Sequence, residues 1–369
     1  MRATGAAPDL HTDYAAALRL VPNSWVRTGA GLAALAWLAG PLILSDFWVV
    51  VLGYAGVAAV GALGLNLLTG YTGQVSLGHA FFLGIGAYVA AQFGGAWDLP
   101  LFIWLPACAV VGAAVGAVVG PFALRLRGQY LVVVTLGLVF VGEHIFREWG
   151  SVTGGGAGTA VRPQLDLGPV DFGGMSLFGT RFSRQEMLFW LIWGVVGIGV
   201  VAAKNLVRTR PGRALQAVRD RDLAAEVIGI SLFRYKVGAF AISSAYAAVA
   251  GGLYGALQTF VSPTEWSLLL SIQYVAMIII GGLGTIFGPV LGAVVLTAIP
   301  RLLDEISRGR DLPLVSDDAG GPGGIITISN LKQAIFGALI VGFLLFEPRG
   351  LAAVWLRFKA YLKTWPFSY

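Results

Sequence analysis

The chain has 369 residues, 57% of them hydrophobic and only 12% charged, with a formal net charge of +6 and a mean hydropathy of +0.77. A soluble domain carries about 25% charged residues, so the composition excludes a water-exposed globular protein. The apolar runs are continuous rather than alternating, which excludes a membrane β-barrel. The chain is therefore read as an all-α polytopic membrane protein, because lipid admits only segments whose backbone groups bond internally.

Residues 1–28 carry Arg2, Asp9, His11, Asp13, Arg19 and Arg27 without an apolar core ending in a small-residue cleavage site, so they are expected to be a cytoplasmic N-terminal extension. A transmembrane domain over 29–352 follows. Its apolar runs predict spans at 29–45, 48–69, 79–95, 101–124, 129–146, 187–204, 236–258, 268–287, 288–300 and 333–346, about ten helices in all. Residues 353–369 are expected to be a cytoplasmic tail. Threaded from an inside N-terminus, Arg125 and Arg127, the segment 204–236 and the basic tail share the inner side with most of the 25 Lys and Arg. The positive balance thus reports orientation in an inner (plasma) membrane, and nucleic acid is not invoked as a partner. Loops 147–186 and 301–332 face outward and are too polar and glycine-rich to bury a core. Cys108 sits in an apolar run and has no intrachain disulfide partner, since it is the single cysteine.

Small residues recur every fourth position at Gly112, Gly116 and Gly120, and again at Ser243, Ala247, Gly251 and Gly255. Such stripes let helix backbones approach closely where no hydrophobic force drives association. Two stretches break the helical pattern. GYTGQVSLGHA, Gly70 to Ala80, places Thr72, Gln74, Ser76 and His79 among glycines, and IIIGGLGTIFGP, Ile278 to Pro289, contains Gly281 and Gly282. Lipid cannot satisfy polar side chains or open backbone, so these breaks line a cavity or are buried in protein. Thr72, Gln74, Ser76, His79, Gly281 and Gly282 are the candidate pathway residues. His79 admits two readings: an intramembrane ionisable group on the route, or, placed at the cytoplasmic start of its span, a residue that with Ser76 pins a helix start.

The segment RTRPGRALQAVRDRDLAAEVIGISLFRYK, Arg208 to Lys236, is too polar for a mere turn. A helix is expected over Ala214–Ile228, with Leu215, Val218, Leu223, Val227 and Ile228 on an apolar face toward the membrane domain, and Gly229 closing it. A membrane-surface helix held by lipid and a docking helix for a cytoplasmic partner both fit; its acids Asp220, Asp222 and Glu226 weigh against anionic lipid. The three histidines are widely spaced, the acids form no pair on one face, and no GxxxxGK[ST] phosphate loop is present. The sequence is not that of an enzyme and implies no metal or cofactor.

DLAAEVIGI, Asp222 to Ile230, is similar to the coupling loop of ATP-binding cassette importer permeases, where a short helix and a following glycine dock on an ATPase. NLLTGYTGQVSLGHAFFLGIGAYVAA (66–91), LRLRGQYLVVVTLG (124–137), TGGGAGT (153–159), GRALQAVRDRDLAAEVIGI (212–230), FVSPTEWSLLLSIQYVAMIIIGGLGTIFGPVLGA (260–293) and FEPRGL (346–351) together resemble the branched-chain amino acid permease family, specifically its M-type subunit. The resemblance implies a coupling site at Arg219, Asp220, Arg221, Asp222, Ala225, Glu226 and Gly229. It also implies two ATPase subunits, an H-type permease subunit, an extracytoplasmic solute-binding protein and surrounding membrane lipid as partners. One departure is that Val139 and Phe140 stand where many members have Gly-Glu, with Glu143 and His144 one turn later. Urea and short-chain amide permeases of the same superfamily also differ there and are the alternative; an ion-coupled secondary transporter is the alternative of another class.

The threading predicts that cysteines placed at Ser151 and Ser316, in a background lacking Cys108, react with an impermeant thiol reagent from outside intact cells. Labelling that appears only after permeabilisation would reverse the orientation.

Overall fold

A computed structural model describes residues 24–124, 129–167, 170–171, 176–177, 180–307, 315–316, 326–327, 330, parts of 334–347, and 350–364. Helices run over Ser24–Ile43 (α1), Asp46–Thr72 (α2), His79–Val89 (α3), Leu101–Leu124 (α4), Gln129–Glu148 (α5), Arg184–Arg208 (α6), Arg210–Asp220 (α7), Asp222–Val227 (α8), Leu232–Gln258 (α9), Leu268–Gly281 (α10), Gly288–Ser307 (α11) and Gly350–Thr364 (α12). Five of them are long and apolar enough to cross a membrane, and α10 and the apolar part of α11 are shorter. The chain is an all-helical, multi-pass membrane protein with glycine-broken segments. Among the described residues the strands are two-residue ladders only.

Several boundaries differ from the sequence reading. The first helix starts at Ser24, inside the expected extension, whose residues 1–23 lie outside the described ones. The expected span 268–287 stops at Gly281, because Gly282 takes a φ of 118° that ends the helix. The next helix is correspondingly longer, reaching Ser307 rather than residue 300, so the start of the expected outer loop 301–332 is helical. The break is therefore a tight turn between two antiparallel helices. Residues 350–364 form α12 where a tail was expected, and the span expected at 333–346 lies largely outside the described residues.

Two helices form the centre. In α2, 78% of the most apolar window is buried, against 22% for α4, which keeps one face outward. α9 packs on α2, α3 and α4 at once, and small residues make that possible. On α4, a Cβ at Gly112 or Gly116 would run into Ser244 or Ala248 of α9. On another side of α9, a Cβ at Gly251 would strike the Leu83 carbonyl of α3, and one at Gly86 would strike the Ala248 carbonyl. Gly112 and Gly116 thus face Ser244 and Ala248, one position along from the Ser243, Ala247, Gly251 and Gly255 stripe, while Gly120 lies opposite Val237 and Phe240. That stripe serves other neighbours: Ser243 offers its carbonyl opposite Gly64 of α2, Gly251 meets α3, and Gly255 lies on Val161. Cys108 is buried in the same seam, 3.4 Å from the Gly86 carbonyl.

The end of the bundle that carries α7 and α8 is called basal here, the opposite end distal. Distally, Thr159–Ala160 pairs with Phe260–Val261, and α3 ends in a π-helical turn, Ala90–Ala96. Gln164 N–H donates to the Gly94 carbonyl at 3.0 Å and Trp104 Nε1 to the Gln164 carbonyl at 2.8 Å, fastening the connection after α5 onto that turn.

Gly251→Leu is expected to lower yield and thermal midpoint in detergent sharply, since overpacking a tight seam costs about 1–3 kcal/mol or more. Gly137, with nothing within 4 Å of an added Cβ, should accept leucine unchanged. Equal stability of the two variants would refute the close-approach account.

Candidate functional site

The first break is built by α2 running out of helix. Gly73 takes a φ of 72°, which favours glycine, and Gln74 N–H turns back 3.3 Å to the Leu68 carbonyl. The chain then runs without helix to Gly78, and its amides find side chains instead. Leu77 N–H donates to Thr135 Oγ1 of α5 at 3.0 Å, Gly78 N–H to Ser76 Oγ at 3.2 Å, and Ala80 N–H to Ser271 Oγ of α10 at 3.0 Å. Ser76 therefore serves the start of α3, as one sequence reading held. Gly78, by contrast, has a φ of −87°; an added Cβ would sit 3.1 Å from the Thr135 carbonyl, a tight contact.

His79 is not at a surface helix start. It is 3% exposed, its ring centroid 5.0 Å from that of Tyr274 and its side chain against the Gly61 backbone of α2. Gly61 lies about 16 Å before the end of α2 at 1.5 Å per residue, so the chain re-enters the bundle before α3 begins. Here polar atoms outnumber partners. Gln74 Oε1 and Nε2 and His79 Nε2 are buried with no protein hydrogen bond, although buried polar side chains are normally paired. Thr72 is satisfied within its own helix by the Leu68 carbonyl. Further along α3 is a second group of unmatched buried atoms, Tyr88 OH, Trp266 Nε1 and Glu265 Oε2. Burial pushes the Glu265 carboxyl up from the usual carboxylate range, against hydrogen bonds from Tyr254 and the Ser262 backbone.

Gly281 and Gly282 belong to the other break. They form the basal turn after α10, which Asn66 of α2 holds from both sides: Asn66 Oδ1 accepts from Gly284 N–H at 2.9 Å and Nδ2 donates to the Thr285 carbonyl at 2.7 Å. Gly350 packs directly on Gly282. The two breaks thus meet at the basal end of α2, one turn apart. Asn66 was missed in the sequence; its signal was a lone amide in an apolar helix one turn ahead of a glycine. Thr135, Ser271 and Tyr274 gave no such signal, because each looks ordinary in its own span.

The charged segment differs from the single helix expected over Ala214–Ile228. Arg221 is extended, with φ −157° and ψ 105°, and splits it into α7 and α8. Leu215 and Val218 of α7 are buried as expected, but on and after α8 Leu223, Val227 and Ile228 are 68, 87 and 74% exposed, with Ala225 the residue turned inward. The apolar face expected against the membrane domain is thus divided between two directions. Asp220, Arg221 and Glu226 are exposed, and Asp222 pairs with Lys236 at 2.5 Å. Gly229 makes the return turn with a φ of 87°. Arg219 is exposed as well, yet its guanidinium reaches back to α2: Nη1 donates to the Gly70 carbonyl at 2.7 Å and lies beside Gly284. A cation at the carbonyl end of α2 also meets the negative end of that helix dipole. No group of acids, histidines and cysteines suited to a metal occurs among the described residues.

Comparison with known proteins gives the family. The family described as branched-chain amino acid transport system / permease component matches residues 47–344. The high-affinity branched-chain amino acid transport system permease protein LivM of Salmonella typhimurium is 32% identical over 288 residues, 74% of this chain and 67% of that protein. The Escherichia coli K12 LivM is 31% identical over the same shares. The LivH permease protein of the Salmonella system is 25% identical over 250 residues, 64% of this chain and 79% of its own length. No solved structure matches.

The contrast between a satisfied and an unsatisfied amide is measurable. Asn66→Leu should lower the thermal midpoint in detergent, because it strands a partly buried N–H and a partly buried carbonyl, at up to about 1–3 kcal/mol each. Gln74→Leu removes two atoms that have no protein partner and should leave the midpoint unchanged or raised. The reverse order would show that Gln74 is structural.

Proposed function

Because this chain belongs to the branched-chain amino acid transport system permease family, we propose that it is one transmembrane subunit of an ATP-binding cassette importer that moves branched-chain or related apolar amino acids by alternating access. Its partners in this reading are two ATPase subunits on the basal, cytoplasmic side, an H-type permease subunit beside it, and a solute-binding protein on the distal side. That Salmonella has both an M and an H protein similar to this chain favours a paired permease.

The observation that carries the proposal is the exposed tip of the charged segment. Leu223, Val227 and Ile228 stand outward among Asp220, Arg221 and Glu226. Hydrocarbon would reject those charges and water gains nothing from the apolar side chains, whereas a groove on another protein suits both. Arg221 is the extended joint between α8 and α7, and α7 reaches the end of α2 through Arg219. Motion delivered at Val227 therefore arrives at Gly70, three residues before the first break. Through Asn66 the same helix end holds the second break. Gln74 and His79, with unmatched polar atoms just beyond Gly73, are the groups on the route that such motion would expose or cover.

Val227→Asp and Glu226→Lys should each reduce ATPase co-purification and substrate-stimulated hydrolysis at least tenfold, since a misplaced charge in a docking groove costs several kcal/mol. Gly229→Val should do the same by straining the return turn. Arg219→Met should leave the ATPases bound but uncouple hydrolysis from leucine uptake. Wild-type assembly and coupled hydrolysis in the first three variants would eliminate the coupling role; urea uptake in place of leucine uptake would move the substrate to the other branch of the superfamily.

A further inference from the structure

At the distal end, between the start of α6 and the end of α9, lies a cleft of about 340 Å³ lined by Arg162, Pro163, Leu165, Arg184 and Thr259. Its two arginines put like charges on one cleft. Among the described residues neither forms a salt bridge with a carboxylate. The nearest acid on the same helix, Glu186, is engaged elsewhere, its Oε2 accepting from Ser183 N–H at 2.6 Å in the capping box of α6. Like charges that face one cleft favour an anion between them.

The backbone around the cleft is fixed in a way that keeps the arginines there. Arg184 Nη2 donates to the Ala256 carbonyl at 2.8 Å, anchoring one guanidinium to the end of α9. Arg162 is carried between two pinned neighbours, Val161 N–H on the Thr259 carbonyl at 2.8 Å and Gln164 N–H on the Gly94 carbonyl at 3.0 Å. Thr259 itself has a φ of 65°. A β-branched residue in the left-handed region is strained, and strain of this kind gathers at ligand sites. Beside the cations the walls are apolar, Pro163 and Leu165 both being buried.

We propose that this cleft is a substrate subsite on the distal side, in which Arg162 and Arg184 take the carboxylate of an amino acid while Pro163 and Leu165 receive its aliphatic side chain. A carboxylate accepts from two guanidiniums in the charge-assisted geometry that arginine suits, and the volume falls in the range of small-molecule sites. An acidic side chain of a docking protein would use the cations but would leave the apolar wall unfilled, so the free amino acid is the better occupant. The inference rests on the importer reading and adds to it a place where the substrate meets this subunit.

The permease complex in nanodiscs, without solute-binding protein, provides the test. Binding is measured for leucine, for isovalerate, which keeps the carboxylate and branched chain, for leucinamide, which lacks the carboxylate, and for inorganic phosphate. Leucine and isovalerate should bind, leucinamide at least tenfold more weakly than leucine. Arg162→Gln and Arg184→Gln should each weaken leucine at least tenfold and leave leucinamide unaffected. Arg184 also holds the end of α9, whereas Arg162 is exposed, so the Arg162 variant gives a reading free of folding effects. Leucinamide binding as well as leucine, phosphate competing as well as isovalerate, or wild-type leucine affinity in Arg162→Gln would each overturn the subsite. If the variants lose only association with the solute-binding protein and bind leucine normally, the cleft is a docking surface and the proposal is wrong. Leucine uptake by the wild-type complex separates the two levels: uptake with an unaffected Arg162→Gln variant sinks the subsite alone, while no uptake of leucine, isoleucine or valine sinks the importer reading and the subsite with it.

Discussion

Inside a bilayer an interrupted helix exposes amides and carbonyls that no solvent can satisfy, and the basal half of this protein is organised around meeting that demand. The interruption after Gly73 is met by Thr135 from α5, Ser271 from α10 and the local Ser76. The interruption after Gly281 is met by Asn66 from α2 and by Thr285, whose hydroxyl donates to the Gly282 carbonyl at 2.8 Å and accepts from Gly288 N–H at 3.1 Å. Each break is thus closed by side chains from another helix, so the relative positions of α2, α5, α10 and α11 are fixed by the breaks themselves. Arg219 adds α7 to the same set through the Gly70 carbonyl.

Close packing around α9 is the complement of this arrangement. Glycine, alanine and serine on its faces bring α2, α3 and α4 into backbone contact, and the Leu83 and Ala248 carbonyls are where a side chain would be intolerable. The backbone leaves the helical path at two places around this centre, the stretch 73–78 and the turn 282–287. Buried atoms without partners fall beside the first of those places, at Gln74 and His79, and in a separate group at Tyr88, Glu265 and Trp266.

Arg219 illustrates how one residue can belong to two readings. On a helical projection it lies with Asp220 and Glu226 on the charged side of the coupling segment, and the sequence places it among groups facing a partner. In the fold its guanidinium turns back to α2, and the exposed side chains are Leu223, Val227 and Ile228, which a projection assigns to the inside. The extended Arg221 is the cause, since ending α7 there lets α8 rotate relative to it.

The sequence by itself determined the environment, the class and the family. Apolar runs of spanning length and a scarcity of charge leave only membrane helices, and glycines at 73 and 229 mark turns because their backbone angles exclude most side chains. Those properties are local, so they can be read along the chain. What lies across the bundle was decided by tertiary structure alone: that His79 lies beside Gly61 and Tyr274 rather than at a surface, that Gly112 and Gly116 face Ser244 and Ala248, that Asn66 spans to residues 284 and 285, and that Arg162 and Arg184 share a cleft. Each joins positions far apart in sequence, and neither periodicity nor composition records which helix faces which; only the packing of the helices brings these partners within a few ångströms.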